Sequence, residues 1–216
     1  MKARAITLLS LLRSNNRWGN HETDRTTVIK QAFLAENLKP LYDVWFQTFS
    51  FVRYNYGPFA DDVFQQLDTL IFNGLVEVTR YRRSSGRIEA RYVITEFGTH
   101  HVNQFAPSEI SALTDDLVWA LQSIGITKAT WLCKLVYQEP EFVTVLENDA
   151  GRGVGPEHRT PLPAVLDATN MTFQYLTSIK GLDRLRRREN GDTSLSPREL
   201  VRVYLELLAA RIAPQK

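Results

Sequence analysis

Residues 60–95 change their hydrophobic period partway along, and few arrangements accept that change. From Ala60 to Asn73 the apolar side chains Val63, Phe64, Leu67, Leu70 and Ile71 recur at helical spacing and form one stripe. Asp61 and Asp62 stand in the first turn, where the positive end of the helix dipole favours acids. Gly74 stops the helix. From 75 to 95, "LVEVTRYRRSSGRIEARYVIT" alternates, turns at Ser84-Ser85-Gly86 and alternates again, which predicts a β-hairpin.

Upstream, Val28, Ile29, Ala32 and Phe33 give helical spacing over Arg25 to Leu38, with Asp24 as N-cap and Pro40 limiting the extension. The run Ala5 to Leu12, preceded by Lys2 and Arg4, imitates a secretion signal. It is short, and Arg13 to Trp18 offers no small-residue cleavage site, so it reads as a first structural helix. Leu41 to Phe46 is read as a second short helix, and residues 48–55 as an extended segment before the Gly57-Pro58 turn. Helices, an extended segment, a helix and a hairpin in this order predict a winged helix-turn-helix.

The expected fold is therefore mainly α with a small β-hairpin: a winged helix over residues 1–105 and a helical C-terminal region over 106–216. In the second region Ile110, Leu113, Leu117, Val118 and Leu121 predict one helix, and Ala129 to Tyr137 another. Glycines and prolines make 147–163 a flexible loop, and Leu166 to Ile179 is read as a further helix. At 196–200, "SPREL" offers Ser as N-cap, Pro at the first helical position and Glu at the third, which opens an amphipathic helix running through Leu208.

Composition narrows the function less than position does. The 216 residues are 44% hydrophobic, with 11 Phe, 8 Tyr and 4 Trp, enough for a core. Lys and Arg number 26 against 24 Asp and Glu, a net +2 that by itself calls for no polyanion. The single cysteine, Cys133, cannot form an internal disulfide, and the cytoplasm is the expected compartment. No apolar run approaches the length of a membrane span.

Residues 26–105 resemble the small bacterial and archaeal proteins of the YwgA and SocA-like (Panacea) antitoxin family. The likeness rests on Tyr54, Tyr56-Gly57-Pro58-Phe59, Val63, Leu67, Leu70, Gly74-Leu75-Val76, Tyr92, Ile94-Thr95-Glu96 and Gly98. The family's usual Ser or Thr before the core helix is Ala60 here, and "VIKQAFLAE" fits its first helix only loosely. A looser, architectural similarity is to winged-helix accessory subunits of ATPases related to the structural-maintenance-of-chromosomes proteins. These resemblances imply a non-enzymatic module working as an antitoxin, regulator or adaptor in prokaryotic defence. The partner they imply is a larger protein, such as a toxin or an ATPase of that kind.

The candidate sites follow from charge. The hairpin concentrates Arg80, Arg82, Arg83, Arg87 and Arg91 around Tyr81, and a projecting wing of this kind can meet the phosphates of double-stranded DNA. The helix before it carries Asp61, Asp62 and Asp68 and no Lys or Arg, which repels the walls of a major groove. Asp61, Asp62, Gln65, Asp68 and Thr69 are therefore read as a partner-binding face. Arg184, Arg186, Arg187 and Arg188 form a second basic patch. "GRGVGPEHR" lacks the phosphate-loop pattern. The four histidines show no metal-ligand spacing, and His100 and His101 are read as one exposed and one packed. Cys133 has no evident His and acid to activate it. The expectation is no catalytic residue, no metal and no cofactor: a non-catalytic adaptor or accessory subunit, with a dimeric winged-helix transcriptional regulator as the alternative.

Overall fold

The computed structural model describes residues 3–44, 46–54, 57–84, 87–138 and 195–212. It is mainly helical with small antiparallel sheets. Helix α1 spans Ala3–Arg17, strand β1 Thr23–Asp24 and α2 Arg25–Leu38. A 3₁₀ turn at Lys39–Tyr42 leads to β2 at Val52–Tyr54 and β3 at Gly57–Phe59. Then come α3 at Asp61–Phe72, β4 at Val76–Ser84 and β5 at Arg87–Ile94. Helices α4 (Glu96–Phe105), α5 (Ser108–Ser123), α6 (Ala129–Val136) and α7 (Pro197–Ile212) complete the described chain.

Local signals placed most boundaries. Asp24 caps α2 by accepting from the Thr27 amide at 2.9 Å. Gly74 ends α3 with φ +69, a left-handed conformation that a side chain would oppose. Ser196 and Glu199 exchange bonds at the start of α7, the Ser196 amide donating to Glu199 Oε2 at 2.8 Å and the Glu199 amide to Ser196 Oγ at 3.3 Å. The short helix expected over Leu41 to Phe46 is instead the 3₁₀ turn at Lys39–Tyr42, with Pro40 in its first turn and Asp43 ending it at φ 55. The expected helix at Leu166 to Ile179, the loop at 147–163 and the basic patch at 184–188 lie outside the described residues.

One contiguous core joins the elements on both sides of residue 105. Leu8, Leu9 and Leu12 of α1, Leu34 and Leu38 of α2, Leu67 and Leu70 of α3, Tyr92 of β5, Leu113 and Leu117 of α5, and Tyr204 and Leu205 of α7 all belong to it. Helix α2 is buried almost all round, including Lys30, Gln31, Glu36 and Asn37. Lys30, Gln31 and Glu36 find partners inside, while Asn37 Nδ2 is buried with no hydrogen-bond partner among the described residues. Asn15 Nδ2 donates to Gln31 Oε1 at 2.6 Å, and Gln31 Nε2 returns a bond to Asn15 Oδ1 at 3.1 Å. Lys39 Nζ donates to Glu36 Oε1 at 2.8 Å, to the Phe46 carbonyl at 3.0 Å and to Thr48 Oγ1, while the Thr48 amide donates to Glu36 Oε2 at 3.1 Å. This satisfied pair ties the segment after the 3₁₀ turn to α2.

The larger sheet runs in the order β1-β5-β4, all antiparallel. Glycine packs it to α4: a Cβ at Gly98 would run into the Leu75 carbonyl oxygen. Among the described residues no helix is long and apolar enough to cross a membrane.

Candidate nucleic-acid and partner interfaces

The geometry of the hairpin depends on one extra residue. Val76, Glu77 and Val78 pair with Ile94, Val93 and Tyr92, but the next pair is Arg80 with Arg91, so Thr79 is a bulge. Because side chains alternate across a strand, this insertion moves Arg80 and Arg82 to the solvent face that carries Glu89 and Arg91. Without it they would fall on the face of Ala90 and Tyr92, two buried residues. Arg83 and Tyr81 take the opposite face, and Arg87 takes the register position across from Ser84. Thus, of the arginines read from the sequence as one set, Arg80, Arg82 and Arg91 share one face and Arg83 takes the other. Arg80, Arg82, Arg83 and Tyr81 are exposed.

Glu22, before β1, stabilises this arrangement. It accepts from Arg91 at 3.0 Å. Hydrogen bonds from Arg91 and from the bulged Thr79 hold its carboxyl below the ordinary range. Arg80, Arg82 and Arg83 form no ion pair with any described residue, although Arg80 is near enough to help hold the Glu22 carboxyl down.

Helix α3 turns Asp61, Gln65, Asp68 and Thr69 outward, as its periodicity predicts. Asp62 behaves differently. It meets Arg4 of α1 at 2.9 Å, and Arg4 Nε also donates to the Thr48 carbonyl at 2.8 Å, so Asp62 braces α3 against α1. Arg25 at the start of α2 lies over the Phe64 ring, 3.8 Å from its centroid. The helix carries no Lys or Arg of its own, yet Arg4 from α1 and Arg25 from the start of α2 reach it, contacts beyond a helix-period argument. Thr69 Oγ1 donates to the Gln65 carbonyl at 2.9 Å and Asn73 Nδ2 to the Thr69 carbonyl at 2.7 Å, which turns both side chains back on their own helix.

Two residues on these surfaces escaped the sequence reading. Phe72 is 91% exposed and, at 100° per residue, projects from the centre of the face bearing Asp61, Gln65, Asp68 and Thr69. Its signal was present, because it falls outside the apolar stripe of Val63, Leu67 and Leu70. Arg25 had no such signal, since its position beside the hairpin follows from β1 pairing with β5. On α4, His100 is exposed, and His101 is half-buried with its ring 4.6 Å from Phe105. Cys133 is half-buried, with its thiol pushed up by desolvation against the pull of Lys30. Among the described residues no three His, Cys, Asp or Glu side chains converge on a common point. No family model matches the chain, and no curated protein matches it.

Proposed function

We propose that this chain is a non-catalytic adaptor or accessory subunit built on a winged helix. In this reading its hairpin supplies contacts to the backbone of double-stranded DNA and the outer face of α3 docks a larger protein. The order α1-β1-α2-β2-β3-α3-β4-β5, in which β5 lies between β1 and β4 and the short β2-β3 pair is an insertion between α2 and α3, supports the winged-helix reading. The observation that carries the functional reading is the contrast between two adjacent surfaces. Helix α3 presents acids around an exposed phenyl ring, while the bulged hairpin presents unpaired guanidiniums. An exposed aromatic ringed by polar groups suits a protein hot spot, and acids there discourage phosphate. Guanidiniums on a projecting ladder suit phosphate oxygens. The resemblance to antitoxins and to accessory subunits of chromosome-maintenance ATPases adds a place for such an adaptor in prokaryotic defence, with a toxin or an ATPase as the larger partner.

A dimeric transcriptional regulator would require α3 to enter the major groove with Asp61 and Asp68 leading, against the phosphate walls. The two readings part in one experiment. Replacing Arg80, Arg82 and Arg91 with Ala removes three phosphate contacts, and the slope of log K against log salt should flatten by about 2.7. Over about 50 to 200 mM salt this is roughly a 40-fold smaller loss of affinity, the same for unrelated duplexes. Asp68→Lys combined with Phe72→Ser should release the protein partner captured from the native host and leave duplex affinity level or higher. Retained partner with a changed DNA sequence preference would overturn the adaptor reading in favour of the regulator.

A further inference from the structure

Between the hairpin and the start of α2 lies a solvent-open groove of about 340 Å³, lined by Asp24, Arg25, Thr26, Arg80, Glu89, Ala90 and Arg91. Three of its residues are arginines, and each comes from a different element: α2, β4 and β5. Arg25 is half-buried and its Cζ sits over Phe64, 3.8 Å from the ring centroid, a cation-π contact that holds the guanidinium while leaving it without an ion-pair partner among the described residues. Arg80 is brought to the groove by the Thr79 bulge. Arg91 shares one nitrogen with Glu22 at 3.0 Å in a pair about half exposed on both sides, and keeps further donors. The opposing charge is partly committed. Asp24 Oδ1 accepts from the Thr27 amide at 2.9 Å and Oδ2 from the Thr27 hydroxyl at 2.6 Å. Glu89 faces Arg82 in the ladder.

We infer that this groove seats one phosphate of a DNA backbone, with Arg25 as the anchoring donor and Arg80 and Arg91 closing on it from the sheet. The inference rests on the DNA reading above and extends it from the wing to a clamp made by α2 and the sheet together. Arg25, stacked and pre-oriented, loses less freedom on binding than the exposed arginines of the hairpin do, so it fixes where the phosphate sits while the wing arginines add charge. The chemistry recognised is a phosphate oxygen, which a free phosphate also carries, and the test separates the two sources.

The test uses the full chain and a labelled mixed-sequence duplex, with anisotropy read from about 50 to 200 mM salt. Arg25→Gln should make the salt slope shallower by about 0.9, which shrinks the loss of affinity over that range about 3.5-fold. Arg25→Lys, which keeps the charge, should restore the slope. If Arg25 only braces Phe64, both variants melt at a lower temperature and the slope does not move, which overturns the clamp while leaving the wing's role intact. If the unaltered chain binds no duplex at any salt, the DNA reading itself fails. The groove is then judged by titrating inorganic phosphate against the Arg25 Nε–Hε resonance: a saturating shift, absent in Arg25→Gln, keeps it as a site for free phosphate, and no shift ends it.

Discussion

Lys30 offers the sharpest quantitative test of how this core is built. It is 3% exposed, its Nζ donates to the Pro58 carbonyl at 2.8 Å, and no carboxylate pairs with it among the described residues. Burial pulls its ammonium down from 10.5 to about 8, against a smaller opposing pull from Cys133. Between those two values the unfolded chain binds more protons than the folded one, so stability rises with pH across the window from about 8 to 10.5. At 1.36 kcal/mol per pKa unit, a shift of that size corresponds to roughly 3 kcal/mol, withheld at neutral pH and recovered at the top of the window. Lys30→Met keeps the length and apolar stem and removes the titration. The informative quantity is the difference in unfolding free energy between the two proteins, measured by urea denaturation at intervals from pH 7 to 10.5. Tyr92, whose burial raises it, titrates in both proteins and largely cancels, whereas the Cys133 thiol loses the pull of Lys30 in the variant, so both proteins are compared in a Cys133→Ala background. The variant should be more stable than the parent by up to about 3 kcal/mol at pH 7, less the lost bond to Pro58, and the gap should close as pH rises. Two curves that run parallel over the whole range would refute the claim that Lys30 is buried as a strained cation.

Other consequences follow from single contacts. Lys39→Met leaves Glu36 buried against Thr48 without its cation and should cost about 3–5 kcal/mol by chemical denaturation. Gly98→Ala forces a Cβ against the Leu75 backbone and should cost about 1–3 kcal/mol, visible as a lowered melting temperature with α-helical circular dichroism retained. Phe72→Ser, by contrast, should leave the unfolding free energy within about 0.5 kcal/mol, because the ring is 91% exposed and belongs to no core contact. A larger loss there would mean that the ring is covered in the folded chain. Ser196→Ala should destabilise by about 1 kcal/mol, with hydrogen exchange accelerated first in the opening turn of α7.

What could be read along the chain is what hydrogen bonds and periodicity settle within a few residues. Helix α3, its stop at Gly74, the hairpin, the Asp24 cap and the Ser196–Glu199 box all belong to that class, because each partner lies within about one helical turn or one strand pairing. The 3₁₀ turn at Lys39–Tyr42 stands where periodicity predicts a short helix over Leu41 to Phe46, because Lys39 is drawn into a buried network with Glu36 and Thr48. The candidate surfaces divide the same way. That arginines crowd the hairpin is plain from composition, but which of them share a face was decided by the Thr79 bulge, which, with Arg91, is held by Glu22 from the segment before β1. That α3 carries acids is plain as well, yet only the fold spends Asp62 on Arg4 and lays Arg25 across Phe64. The polar groups of α2 follow suit: a sequence with Lys30, Gln31, Glu36 and Asn37 looks like one with a wet face, and only the packing of α1, α5 and α6 around that helix buries it and selects which polar group answers which. Local chemistry determined the elements. Contacts between residues far apart in the chain determined which charges remain free to act, since burial and ion pairing are properties of neighbours that no window of sequence contains.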